Sequence, residues 1–376
     1  MTLDFKKNLE TLTLGVEMEI QLLDHQTLEL TPRAEDILTI VNSSKLIREM
    51  FRSTLELITS VCHNVHEVGN DLKAVLQQVQ IAGKKTGIRF SGTGTHPVAD
   101  YNERILSKSE RYHTLLDRNQ WLIRRMAVYG LHVHIGMKDG DDCIRFNNFF
   151  LHFIPHLIAL SASSPFWKCH DTGLAASRPT VYEAHPTSGI PYTVHNWEEF
   201  NDLYDKLINT GSIESMKDIW WDLRPSPSFG TLEIRICDGP ATMLELESIV
   251  SFIHMLAHWF NDNRHHFYKH NKIIPEHWIM RENKWRAIRY GLEANIVSHE
   301  SLKTKKLSDN IRFWIDRLQP YSLKFGYEKY MTCLYDILDK GNSSVRQRNV
   351  MKYYNDLKKV VESNVTEFDM GVPQWS

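Results

Sequence analysis

Thr231–Cys237 reads TLEIRIC, inside the longer run Trp220–Thr242, WWDLRPSPSFGTLEIRICDGPAT. Successive side chains of an extended strand point to opposite faces. Leu232, Ile234 and Ile236 therefore share an apolar face, and Glu233 and Arg235 stand together on the other. Alone, such a pair is an ordinary ion pair on a wet sheet, which contributes little. Two further segments repeat the pattern. In Leu14–Leu23, LGVEMEIQLL, Val16, Met18, Ile20 and Leu22 alternate with Glu17, Glu19 and Gln21. That spacing sets two carboxylates roughly 7 Å apart on one face. In Gly130–Gly136, GLHVHIG, Leu131, Val133 and Ile135 alternate with His132 and His134.

Three strands thus each bury an aliphatic face and present Glu-x-Glu, His-x-His or Glu-x-Arg on the other. Carboxylate oxygens and imidazole nitrogens are ligands of Mg²⁺ and Mn²⁺, and a guanidinium suits phosphate. Like charges at neighbouring positions repel, so Glu17 and Glu19 need cations nearby. The joint reading is a metal-and-phosphate site on a sheet. The plainer alternatives are a solvated acidic face and a pair of satisfied sheet histidines.

The segments GVEMEI, GLHVHIG, SASSPFW…DTGLAASR and WWDLRPSPSFGTLEIR resemble the glutamate–cysteine ligase type 2 family, also called carboxylate–amine ligases, of the glutamine synthetase superfamily. The resemblance runs from about residue 12 to at least residue 295. It implies an α+β fold: a glutamine synthetase-like, curved, mostly antiparallel sheet with the site on its concave face and helices behind. It implies ATP-driven amide formation through an acyl phosphate, with glutamate as donor and an amino acid such as cysteine as acceptor. Glu17, Glu19, Glu49, Glu56, His132 and Glu233 are its implied ligands for Mg²⁺ or Mn²⁺, and Arg235 and Glu19 its implied catalytic groups. His134 is assigned to the nucleotide phosphates, and Arg178 to the donor carboxylate. Arg224 and Arg289 are expected to touch nucleotide or substrate, Arg289 together with Arg286 three residues earlier on its helix. Two rivals use the same residues: a metal-dependent hydrolase, and a binding protein without turnover. ATP consumption separates them.

Composition is that of a soluble globular chain: 376 residues, 42% hydrophobic, 24% charged and a net charge of −2. Balanced charge gives no footprint for nucleic acid or an anionic membrane surface, so the expected partners are ATP and small carboxylate and amine substrates; homo-oligomerisation is left open. The five cysteines, Cys62, Cys143, Cys169, Cys237 and Cys333, are scattered without CxxC spacing. With no apolar leader at the N-terminus, they favour a reducing cytoplasm. Phe146–Trp167 is broken by Asn147, Asn148, His152, Pro155 and His156, so it reads as a buried helix and not a membrane span.

Along the chain, strands are expected at 13–23, 54–60, 88–93, 130–136 and 231–237, separated by helical segments. Glu49 precedes Glu56 by seven residues, an odd spacing that puts it in an approach loop or demands a bulge. Helices are expected near Arg33–Asn42, His66–Lys85, Tyr101–Tyr129, Asp141–Leu160, Trp197–Asn209, Ser212–Asp218, Leu244–Asn261, Glu282–Ile296 and Ser344–Val361. SGTGTHP lacks the P-loop lysine and reads as a structural turn, with His96 beside the site. The polar stretch from Ser161 to Tyr192 reads as a functional loop, in which Arg178 either meets substrate or pairs with Asp171 or Glu183. No linker or repeat interrupts residues 1–376, so one domain is expected, with a helical layer from about residue 300 covering the sheet.

Overall fold

The computed structural model describes residues 3–100, 105–270 and 274–375. Seven strands form its main sheet: β1 (Leu14–Asp24), β2 (Leu46–Arg48), β3 (Thr54–Ile58), β4 (Ile88–Ser91), β5 (Gly130–Gly136), β6 (Leu223–Ser226) and β7 (Thr231–Asp238). Their order is β6-β7-β5-β1-β3-β2, with β4 on the far end of β1, and every pairing is antiparallel. β1 holds the sheet together because its 11 residues are long enough to pair with three strands.

On β1 the alternation read from the sequence is the alternation of burial from Leu14 to Ile20, whereas β5 is buried on both faces. Val16, Met18, Ile20, Leu131, Val133, Ile135, Leu232 and Ile234 are at most 1% exposed. Each such side chain contributes about 1.5–3 kcal/mol relative to exposure. Behind them lie the helices Val65–Thr86 and Met243–His270, whose Val68, Leu72, Val79, Leu246, Ile249 and Ile253 join the same core. Phe368, from the last helix, belongs to that core as well.

Several elements depart from their sequence expectation. The strand expected at 54–60 is Thr54–Ile58, and a turn at Phe51–Thr54 separates it from β2, so Glu49 sits in the approach loop. The expected helix 141–160 is interrupted by a tighter turn at Leu151–Phe153, just before Pro155, which has no N–H to donate. The helix expected to end at Ile296 runs from His277 to Tyr290 and stops at Gly291, whose φ is +56°. Ser344–Val361 is two helices, Ser343–Tyr354 and Leu357–Met370, parted by Asn355 in the left-handed region. Of the helix expected over Tyr101–Tyr129, residues 101–104 lie outside the described residues; the rest holds Glu110–Asn119 and Trp121–Arg124. Residues 212–218 hold only the short turn Met216–Asp218. Among the described residues no helix is long and apolar enough to cross a membrane.

Candidate active site

Register converts three separate motifs into one surface. Glu19 faces Glu56 across β1–β3, Glu17 faces His132 across β1–β5, and His134 faces Glu233 across β5–β7. Arg224 on β6 faces Glu233 from the other side. Beyond Ile234 the β7–β5 register shifts, so Arg235 and Ile236 bulge away from β5. The backbone N–H of Arg235 donates instead to the Asp222 carbonyl at 2.8 Å.

These groups line a cavity of about 280 Å³. Its floor is Glu17, Glu19, Glu49, Glu56 and His132; Arg178, Arg224 and Arg235 form one side. Met50, Leu115, Met126 and Trp220 give it an apolar rim where Arg111 and Lys217 also stand. Glu233 is fully buried beside it, accepting from Arg224 Nε (2.8 Å) and Nη2 (2.7 Å) and from Arg235 Nη1. His134 joins the two sets, with Nε2 3.2 Å from Glu17 Oε1 and Nδ1 2.8 Å from Thr231 Oγ1.

The electrostatics split the floor in two. Burial alone would raise the Glu17 carboxyl, but hydrogen bonds from His132 and His134 and the charge of His134 hold it below the usual carboxylate range. Burial likewise opposes ionisation of Glu233, and Arg224 and Arg235 overcome it. The other acids are compensated only in part. Burial and then the charge of Glu49 push Glu19 up to about 7, against the pull of Arg178 and a 2.5 Å hydrogen bond from Gly130 N–H. Glu56 is raised furthest, by burial and by Glu49, Glu17 and Glu19, and its carboxylate has no hydrogen-bond or ion-pair partner among the described residues. The Glu49 carboxylate, raised by burial, accepts from Met50 N–H at 3.0 Å. His132 is pushed down to about 4 by burial and by Arg235, and is neutral at pH 7.

Two donor groups fit a hard divalent cation, Glu17–His132–Glu233 and Glu19–Glu56–His132; within each, the ligand atoms lie within 4.8 Å of one another. The second fits better: Arg178, Arg235 and the Gly130 N–H offset its carboxylates only in part, whereas Glu233 already has two guanidinium partners.

Arg178 is 3% exposed and reaches the cavity from the helix Arg178–Tyr182. Its Nη1 donates to the Arg235 carbonyl at 3.1 Å, and its Nη2 lies 3.5 Å from His132 Nε2. A Cβ at residue 130 would collide with this guanidinium, which is why β5 begins with glycine. Neither expected acid partner is used: Asp171 binds Arg348 and Glu183 binds Lys284. Tyr182, one turn after Arg178, accepts from Arg235 Nε at 3.1 Å and presents its ring to both arginines. Sequence reading passed over Tyr182, although its i,i+4 spacing from Arg178 puts both on one helix face. Arg111, Lys217 and Trp220 had no periodic signal.

Three expected residues stand elsewhere. Arg289 is exposed, donates to the Gly173 carbonyl and does not line the cavity. Arg286 pairs with Glu282 and donates to Asn295 O. Their three-residue spacing is real, but the helix turns that face outward. His96 is buried against the Leu28 carbonyl and Ala99 N–H, and Gly94 packs against Asp238, so SGTGTHP is a structural corner.

The fold matches a bifunctional glutathione synthetase from Pasteurella multocida (TM-score 0.70, 13% identity), covering 96% of this chain and 52% of that one. It also matches a glutamate–cysteine ligase from Francisella tularensis solved with AMP (TM-score 0.69, 13% identity; 96% and 88% covered). This chain therefore spans about half the length of the Pasteurella protein. Fold and sheet define the class: an α+β protein built on an antiparallel sheet, with the fold of these two enzymes. A family model described as glutamate–cysteine ligase family 2 (GCS2) matches residues 13–363. A Bdellovibrio bacteriovorus protein named "Putative glutamate--cysteine ligase 2" is 43% identical over 364 residues, 96% of each chain. One of the same name from Thermobifida fusca is 37% identical over 380 residues, 99% of this chain and 94% of that one. The chain belongs to glutamate–cysteine ligase family 2 and is a ligase.

Proposed function

We propose that this ligase uses ATP to phosphorylate a carboxylate and passes the acyl group to an amine, with a γ-glutamyl donor and an amino acid such as cysteine as acceptor. The observation that carries this reading is the meeting of incompletely compensated carboxylates with four arginines in one cavity. A hydrolase needs the acids alone; the arginines suit anions in transfer.

Amines do not displace oxide from a carboxylate, so the carboxylate must first become an acyl phosphate. The carboxylate oxygen attacks the γ-phosphorus and ADP leaves; the amine then attacks the acyl carbon and phosphate leaves. Mg²⁺ or Mn²⁺ held by Glu17, Glu19, Glu49, Glu56, His132 and Glu233 would neutralise the crowded phosphate and carboxylate oxygens. Arg235, oriented by Tyr182 and Glu233, is aimed to meet negative charge that grows during transfer, a contact stronger in the transition state than before it. Arg178, with its Nε unpartnered, is free to hold the donor carboxylate. His134 and Arg224 act behind them, keeping Glu17 and Glu233 ionised. The similarity to a ligase solved with AMP supports nucleotide use.

The test is ADP release with a panel of amino acids as donor and acceptor, before and after EDTA. Turnover that requires both a carboxylate and an amine, and returns with Mg²⁺ or Mn²⁺ after chelation, is the expected result. Full activity in chelated enzyme overturns the metal assignment, and hydrolysis of an amide without ATP overturns the ligase reading.

A further inference from the structure

The helix His277–Tyr290 lies outside the cavity, yet one of its side chains is wired to the arginine side. Lys284 is 2% exposed, with Nζ 2.7 Å from Asp222 Oδ2 and 3.1 Å from Glu183 Oε2. Asp222 is 1% exposed and stands immediately before β6. Its carbonyl is the acceptor that replaces β5 where Arg235 bulges out of register, and its N–H donates to Gly189 O at 2.8 Å. Glu183 directly follows Tyr182 and closes the short helix that carries Arg178. One ammonium is thus fastened to both pieces of chain that bring Arg178, Tyr182 and Arg235 together.

We propose that Lys284 is a positioning residue: it fixes the separation between the Arg178–Tyr182 helix and the bulge of β7, and so the geometry of the guanidinium pair. The rate consequence rests on the ligase reading; the geometric one does not. A buried Lys–Asp pair stabilises no better than apolar packing of the same volume, so its consequence is the register it imposes. Displacement of positioned groups by about 1 Å costs on the order of 10²-fold in rate.

The experiment compares Lys284→Met with the double variant Lys284→Met/Asp222→Asn and with Arg346→Met, which breaks a buried ion cluster remote from the cavity. Lys284→Met should lower kcat roughly 10²-fold, with a smaller change in KM for ATP, and speed amide exchange across residues 178–189. The double variant should recover thermal stability, since no unpaired buried carboxylate remains, but not kcat. Arg346→Met should lower stability and leave kcat per folded molecule unchanged. If Lys284→Met does not fold, the double variant decides alone. Recovery of kcat together with stability, or unchanged exchange across 178–189, overturns the proposal. Wild-type protein without ATP turnover would sink the ligase reading, while the exchange comparison would still judge the position of the loop.

Discussion

Two buried groups of charges in this molecule are built on opposite principles. Where the last two helices meet the start of the helix Met243–His270, Arg346 is 6% exposed and binds Glu367 through Nε (2.8 Å) and Nη2 (2.9 Å), and Glu245 through Nη1 (2.9 Å) and Nη2 (3.0 Å). Each of those four carboxylate oxygens meets a guanidinium nitrogen. In the cavity, buried Glu56 meets none and half-buried Glu49, in the loop before β3, has one backbone N–H. Removing charge from water is costly unless it is paired on the spot. The helical cluster, a structural knot, therefore meets every one of its carboxylate oxygens from within the chain. The floor of the cavity leaves carboxylate oxygens unpaired, which is the ground for proposing that cations from outside complete it.

The comparison breaks most easily at the knot. Arg346→Met should cost about 3–5 kcal/mol, the usual penalty for stranding buried carboxylates. Denaturant unfolding measures it, and divalent cations should restore none of the loss. A change below about 1 kcal/mol would mean that the cluster is not holding the helices.

Glu56→Gln should behave oppositely. It removes one member of a repelling set, so the chelated protein should be as stable as wild type or up to about 1 kcal/mol more so. It should lose turnover, and its melting temperature should no longer rise with Mn²⁺. A large loss of stability in the chelated variant would show that Glu56 has a basic partner and belongs with the knot.

The smallest effect is a pH dependence. Glu19 titrates at about 7 in the folded chain against an ordinary 4.5, so the cation-free folded state binds more protons than the unfolded one between those values. Its contribution to cation-free stability is intact below about 4.5 and is lost as pH rises to 7. Buried His156 and His254, held down to about 4 and about 3 by burial, act in the opposite direction, so the informative quantity is a difference. The gain in melting temperature on adding Mg²⁺ to chelated protein should be near zero at pH 5 and grow to several degrees by pH 7.5. Calorimetry across that range checks it; a gain independent of pH would remove Glu19 from the ion's ligands.

Much of this site was legible from period-two alternation, because a strand with one apolar face leaves its polar residues no choice of side. That reasoning put Glu17 with Glu19, His132 with His134, and Glu233 with Arg235. It failed where the governing geometry was not local. Arg289 has the right chemistry and a helical spacing that matches Arg286, but helix rotation sends it to Gly173. Lys284, on the same helix, looks like any lysine in sequence and is the one turned inward.

The sequence by itself determined which residues share a strand face, since that follows from side-chain alternation. Tertiary structure alone decided that Glu19 meets Glu56, that Glu17 meets His132, and that Arg235 leaves the ladder at a bulge to meet Tyr182. The physical reason is that register is set by pairings between segments tens to hundreds of residues apart, fixed only when helices and sheet bury their apolar faces against one another.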